Sequence, residues 1–260
     1  RDTDAPWIFY LEAGISRYLP LLGRFGRIEF NEVQNFRYAR QLSLVALREE
    51  PVTMLGYRVR NFDLSPSLHD PDFAKDLRTV RDLPLPQPGK EIPNSAARNK
   101  TAPLRSVAML DPASRALLAA ASREIVGEKK LSAIEFTKEA NDWLRRTHSY
   151  SLSPRIPAGD EDPLVKWLAR GQVGHCELFA GSFVLLARSA GFYARVVTGF
   201  KGGTWNGYSG NFTIRNADAH AWAEIYDEVS ESWLRADPLG VSAGVQAEQV
   251  EPDCLERRDA

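Results

Sequence analysis

Three residues suited to acyl-group chemistry stand in three separate blocks of this 260-residue chain. Cys176 lies in "GHCELFAGSF" (174–183), where an apolar run follows the cysteine and reads as a buried helix. A cysteine at a helix start meets free backbone N–H groups and the positive end of the dipole. Both favour the thiolate, which is the competent nucleophile. "HAWAEIY" (220–226) and "SWLRAD" (232–237) alternate like strands and are separated by "DEVS", a four-residue loop. A hairpin that pairs Tyr226 with Glu231 sets His220 directly opposite Asp237, close enough for the side chains to meet. A carboxylate on one ring nitrogen fixes the tautomer and aims the other outward. A one-residue slip would turn Asp237 to the other face. On that other face Ala221, Ala223 and Ile225 meet Ser232, Leu234 and Ala236, small and apolar enough to pack on a helix.

Each feature alone has a structural reading, a core cysteine and a surface His–Asp pair. Their joint occurrence is what points to a cysteine triad. A disulfide would need Cys254, which sits in the charged tail "EPDCLERRDA" with nothing to place it near Cys176. The four histidines, His69, His148, His175 and His220, form no CxxC or HxxxH pairing, so neither metal nor cofactor is expected. The net charge of −1 argues against a nucleic-acid partner. The longest purely apolar runs are a few residues, against the roughly 20 of a membrane span. There is no signal-peptide pattern, and the start at Arg1 reads as an excised piece of something longer.

The elements that must position these residues follow from patterning. Residues 1–82 read as β-rich, with "FRYARQLSLVAL" (36–47) and "VTMLGYRVRN" (52–61) alternating; Leu55, Tyr57 and Val59 face one way, Arg58 and Arg60 the other. Residues 83–105 carry Pro84, Pro86, Pro88, Pro93 and Pro103 and read as a linker and domain boundary. Residues 106–260 form the expected catalytic domain. Its first helix starts at Asp111 and Pro112 and stops at Gly127. The second opens with a Ser132/Glu135 capping box and turns Ile134, Ala140, Trp143 and Leu144 inward. A short helix covers 163–171, and the cysteine helix runs to about Ala190. "YARVVTGF" (193–200), "NFTIR" (211–215) and the two hairpin runs are strands; "KGGTWNGYSG" (201–210) is a turn-rich loop. Helices first and an antiparallel sheet second is an α+β pattern.

"GHCELFAGSFVLLARSAGFYARVVTGF", "ADAHAWAEIY" and "SWLRADPL" together resemble the transglutaminase-like superfamily, in the order G-x-C, A-R-V-V-x-G, H-A-W-x-E and D-P. The resemblance runs from about Tyr150 to Leu239 and is nearest to the bacterial group whose domain is the extracytoplasmic part of a multi-span membrane protein. It departs at "DPL", where many members have "DPT". It implies a papain-like α+β fold after a smaller β-rich region, and a triad of Cys176, His220 and Asp237. It also implies a periplasmic location on a membrane-anchored protein and a protein or peptide substrate. The implied reaction is attack of the thiolate on a glutamine amide, with a thioester resolved by an amine. A cysteine peptidase or amidase using water, and a non-catalytic binding module with a relic site, remain open alternatives. The Cys176 backbone N–H is one oxyanion donor; Tyr150 and Gln172 are candidates for the second by position. Trp205 and Tyr208, on the glycine-rich loop, are candidates to bind substrate. Glu177 and Glu224 read as structural, paired with backbone or an arginine such as Arg195; Trp222 and Trp233 read as packing.

Overall fold

The alternation in "LGYRVRNFD" becomes the middle strand of a small sheet. The computed structural model describes residues 6–21, 23–39, 44–63, 65, 67–80, 107 and 109–240. They divide into two units, 1–65 and 66–260. In the first, β1 (Trp7–Leu11) and β2 (Arg24–Phe30) flank β5 (Leu55–Asp63) in antiparallel order β1-β5-β2. β3 (Phe36–Ala39) and β4 (Leu44–Leu47) form a separate antiparallel pair, Phe36 opposite Leu47. The run 36–47 therefore holds two antiparallel strands and not one. Leu55, Tyr57 and Val59 are buried with Leu11, Leu19, Val45 and Leu47, while Arg58 is exposed.

The second unit begins earlier than the linker predicts. β6 (Ser67–His69) is the edge strand of a four-stranded antiparallel sheet, and α1 (Pro71–Val80) follows it. Phe73, Ala74 and Leu77 of α1 pack with Tyr193, Tyr226 and Trp233 of this unit. Asp70 ties them further: its carboxylate accepts from the Trp233 indole at 3.2 Å and its carbonyl from the Tyr226 hydroxyl at 2.9 Å. The first compact unit ends at Ser65, and β6 and α1 pack with the second. A three-residue strand and a ten-residue helix were too short to stand out from the preceding β pattern. The proline-rich segment 83–105 lies outside the described residues.

α2 (Pro112–Val126) and α3 (Ala133–Thr147) begin and end where their caps dictate. Asp111 accepts from the Ser114 N–H, Gly127 closes α2 at φ 58°, and Ser132 and Glu135 make the capping box. Ile134 faces solvent at 64% exposure, and Phe136 fills the inward position instead. β7 (Ser149–Tyr150), α4 (Pro163–Ala169), β8 (Val173–Gly174) and α5 (Cys176–Ser189) come next. β9 (Ala194–Phe200) then enters the sheet. β11 (Asn211–Thr213) is the expected strand, and it pairs with β10 (Thr204–Asn206), which lies within the expected loop. β12 (Ala219–Asp227) and β13 (Ser232–Ala236) complete the sheet in the order β6-β13-β12-β9. Phe179, Phe183 and Leu186 of α5 share one core with Phe136, Trp167, Ala223, Ile225 and Ala236. This is the expected α+β arrangement of helices packed on an antiparallel sheet.

Candidate active site

Cys176 is the first residue of α5, half-buried and with a free thiol. The N-cap, His175, makes no side-chain hydrogen bond to the first turn. The Leu178 N–H already donates to the His175 carbonyl at 3.1 Å, so it is the N–H groups at the cysteine end of the turn that suit an incoming anion. The entry to the helix is fixed from below. The Trp167 indole N–H donates to the Val173 carbonyl at 3.0 Å, and β8 pairs in parallel with β7, Tyr150 opposite Gly174. A Cβ on Gly174 would stand 2.7 Å from the Trp167 ring and 2.8 Å from Leu178. The glycine two residues before the cysteine is thus demanded by close approach, which gives the G-x-C spacing a physical reason.

His220 is on β12, and its Nε2 lies 2.9 Å from Asp237 Oδ2. The two side chains are 10% and 5% exposed. The ladder differs from the expected one by two residues: Asp227 pairs with Ser232, Tyr226 with Trp233 and Ala223 with Ala236. Tyr226 does not meet Glu231, because Glu231 adopts φ 48° and belongs to the turn. A shift of two keeps every side chain on its own face, so His220 and Asp237 still meet, diagonally. The small apolar face lies as expected under α5.

Asp237 is held on all sides. Its Oδ2 also faces Arg235 Nη2 at 3.3 Å and Lys201 Nζ at 3.4 Å, and its Oδ1 accepts from the Leu239 N–H at 3.1 Å. Burial alone would raise this carboxyl. The hydrogen bond and charge of His220, with Lys201 and Arg235, outweigh it and hold the group below the ordinary carboxylate range. An ionised carboxylate only accepts, so His220 Nε2 carries a proton toward it and Nδ1 is the ring nitrogen left free of Asp237. The Arg235 guanidinium also lies 4.4 Å over the Trp222 ring, which stacks beside His220. Trp222 in turn excludes a side chain at Gly199, opposite His220 on β9, where a Cβ would come within 2.8 Å of the indole.

The remaining candidates separate. The Gln172 amide donates to the Arg170 carbonyl at 3.2 Å, and Tyr150 is exposed beside the strand that leads to Cys176. Trp205 sits on β10 opposite Phe212, and Tyr208 stands free in the connecting turn; both are exposed. Glu224 pairs with Arg195 at 2.7 Å, whereas Glu177 is largely exposed and 3.9 Å from His175. Trp233 is buried, as packing requires. Cys254 lies outside the described residues. Lys201 and Arg235 were not read from the sequence. Arg235 had a signal, since it precedes Asp237 by two on one strand face; Lys201, just past the end of β9, had none. Among the described residues no cluster of histidine, cysteine and carboxylates is placed to hold a metal.

A cysteine at a helix start and a histidine bonded to an ionised aspartate thus lie in one α+β domain. Residues 119–238 match the family model of the transglutaminase-like superfamily. The match supports cysteine-based acyl-transfer or protease-like chemistry as a class. Over 101 residues the chain is 36% identical to the protein-glutamine gamma-glutamyltransferase of Pseudomonas aeruginosa, covering 39% of this chain and 15% of that protein. Over 114 residues it is 31% identical to the uncharacterized protein YebA of Bacillus subtilis, covering 42% of this chain and 15% of that one. The chain thus spans about a sixth of the length of these curated relatives. Among solved structures it is similar to the periplasmic domain of TgpA from Pseudomonas aeruginosa. The TM-score is 0.54 at 22% identity, covering 90% of this chain and 71% of that one, a likeness of fold.

Proposed function

We propose that this domain transfers acyl groups from glutamine side chains of proteins or peptides to amines, through Cys176, His220 and Asp237. The observation that carries the reading is the His220–Asp237 bond at 2.9 Å, with a carboxylate held ionised. That bond leaves Nδ1 as the base, and Cys176 opens the helix packed on the same sheet. His220 Nδ1 takes the thiol proton as Sγ bonds to the amide carbon. The imidazolium, steadied by Asp237, returns the proton to the leaving nitrogen as the C–N bond breaks, and ammonia departs from a thioester. An amine then attacks the thioester with Nδ1 accepting its proton, and the thiol is restored. The Cys176 N–H is one oxyanion donor, and Tyr150 is preferred over Gln172 for the second because the Gln172 amide already has a carbonyl partner. Trp205 and Tyr208 are the proposed substrate contacts. The relatives support placing the native protein at the extracytoplasmic face of a membrane, with this domain as one part of a longer chain. Among the described residues no helix is long and apolar enough to cross a membrane.

The test is mass spectrometry of a glutamine peptide incubated with a primary amine and the protein, with Cys176→Ala as control. An amine adduct dependent on Cys176 is expected. Cys176-dependent hydrolysis without adduct would assign the domain as an amidase. Neither product from any glutamine peptide would leave the acyl-transfer reading without support.

A further inference from the structure

We infer that Arg145 is the positioning residue for Asp237. The inference rests on the acyl-transfer reading for its kinetic consequence, but not for its geometry. β13 ends at Ala236, so Asp237 is the first residue beyond the ladder, and no sheet hydrogen bond fixes its backbone. The turn it begins is closed by the Gly240 N–H on the Asp237 carbonyl at 3.0 Å. Arg145, in the last turn of α3, reaches across to this turn. Its Nε donates to the Pro238 carbonyl at 2.8 Å, and its Nη2 to the Gly240 carbonyl at 2.7 Å and the Asp237 carbonyl at 3.4 Å. Its Nη1 donates to Asp142 at 3.3 Å, one turn back on the same helix, which orients the guanidinium.

One planar group therefore binds three carbonyls of a four-residue turn. Only a guanidinium has donors fixed in a fork that spans them; an ammonium is a point charge on a flexible stem. The consequence follows from what else touches the carboxylate. Lys201 and Arg235 face the same Oδ2 as His220, and both are more exposed than the histidine. If the turn drifts, these mobile cations can follow the carboxylate, whereas His220 is set by β12 and cannot. Loss of Arg145 then costs His220 its partner, although no triad residue has changed.

The test compares the full chain with Arg145→Met, Arg145→Lys and Asp237→Asn. Long-range ¹H–¹⁵N correlation reads the ring nitrogens, with His220 assigned among the four histidines by His220→Ala. The wild type should show a single Nε2–H tautomer. Both Arg145 variants should show mixed tautomers, as Asp237→Asn should, and lose kcat by about 10²-fold with KM little changed, the scale expected of a misplaced catalytic group. A retained Nε2–H tautomer in both Arg145 variants would overturn the inference, as would wild-type behaviour of Arg145→Lys. If Arg145→Met does not fold, Arg145→Lys decides. A wild type with no turnover would count against the proposed function alone, since the tautomer readout is independent of it.

Discussion

His220 and Asp237 meet diagonally across the β12–β13 hairpin, with Nε2 and Oδ2 2.9 Å apart. One step beyond the last ladder pair, Ala223 and Ala236, the residue opposite Asp237 is Trp222. Trp222 fills the directly opposed place, and its ring lies against both Arg235 and His220. The carboxylate is thus left to the histidine two positions away.

Asp237→Asn is expected to fold but to lose activity. The volume is kept, and Lys201 and Arg235 are exposed enough to turn to water once their anion is gone. The imidazolium loses its counter-charge, so turnover should fall on the order of 10²- to 10⁴-fold. His220→Ala should be at least as damaging. The double variant should be little worse than His220→Ala, because residues that act as a unit are not additive. Steady-state kinetics of the three variants decide; fully additive losses would assign the third role elsewhere. Asp218 is poorly placed for it, since its carboxylate accepts from the Arg215 N–H at 2.7 Å.

Iodoacetamide should label Cys176 before Cys254 near neutral pH, since the first turn of α5 has no side-chain cap to compete with an anion. His220→Ala should slow labelling of Cys176 and leave Cys254 unchanged. Peptide mapping by mass spectrometry reads both rates, and equal labelling of the two cysteines in the wild type would contradict an activated thiol.

The sequence made the His–Asp pair legible for a limited reason. Alternation determines which face a side chain takes, and an error of two residues in register preserves it. The helices were legible because their caps are local: Asp111, Ser132 and Glu135 bond within their own first turns. What was not legible depends on long-range partners. Ser67–His69 is a strand only because β13 offers an edge, and Pro71–Val80 belongs to the second unit only through Tyr193, Tyr226 and Trp233. Ile134 and Phe136 both suit an inward position by type, and packing against Phe183 and Phe192 selects Phe136. Lys201 reaches Asp237 through the fold alone, across 36 residues.

His148 should make the second unit less stable in mild acid. Its ring is buried, 4.3 Å from the Trp167 ring, with Thr147 Oγ1 and the Trp167 carbonyl beside its nitrogens. Burial pushes this imidazole below its ordinary range, and the backbone hydrogen bonds with Trp167, Leu168 and Leu144 offset that only in part. The unfolded chain then binds the proton more tightly than the folded one. Stability is full above the unfolded value of about 6.5 and falls as the pH drops through it toward the lower folded value. Melting temperature should decline between pH about 7.5 and 5.5, and His148→Gln should flatten that decline. An unchanged slope in His148→Gln would assign the acid sensitivity to other groups.

Truncation separates the unit boundary seen here from one drawn at the proline-rich segment. A fragment of residues 66–260 keeps β6 and α1 and should show native near-ultraviolet circular dichroism. A fragment of residues 104–260 loses the strand that pairs Ser67 with Leu234 and His69 with Ser232. It also loses Asp70, the acceptor for Trp233 and Tyr226, and Phe73, whose ring centroid lies 4.7 Å from Tyr226 and 4.8 Å from Trp233. Burial now holds the Tyr226 phenol up at about 12; without α1 both rings meet water, and an indole N–H and a hydroxyl lose their partners. Phe73 is half-buried and leaves together with the buried Ala74 and Leu77; losses of core side chains reach about 2–5 kcal/mol each, a large share of the stability of many domains. The shorter fragment should therefore be molten or insoluble, with red-shifted tryptophan emission and tyrosine ionisation moved to lower pH. Equal melting temperatures for the two fragments would mean that β6 and α1 are dispensable and that the core closes without them.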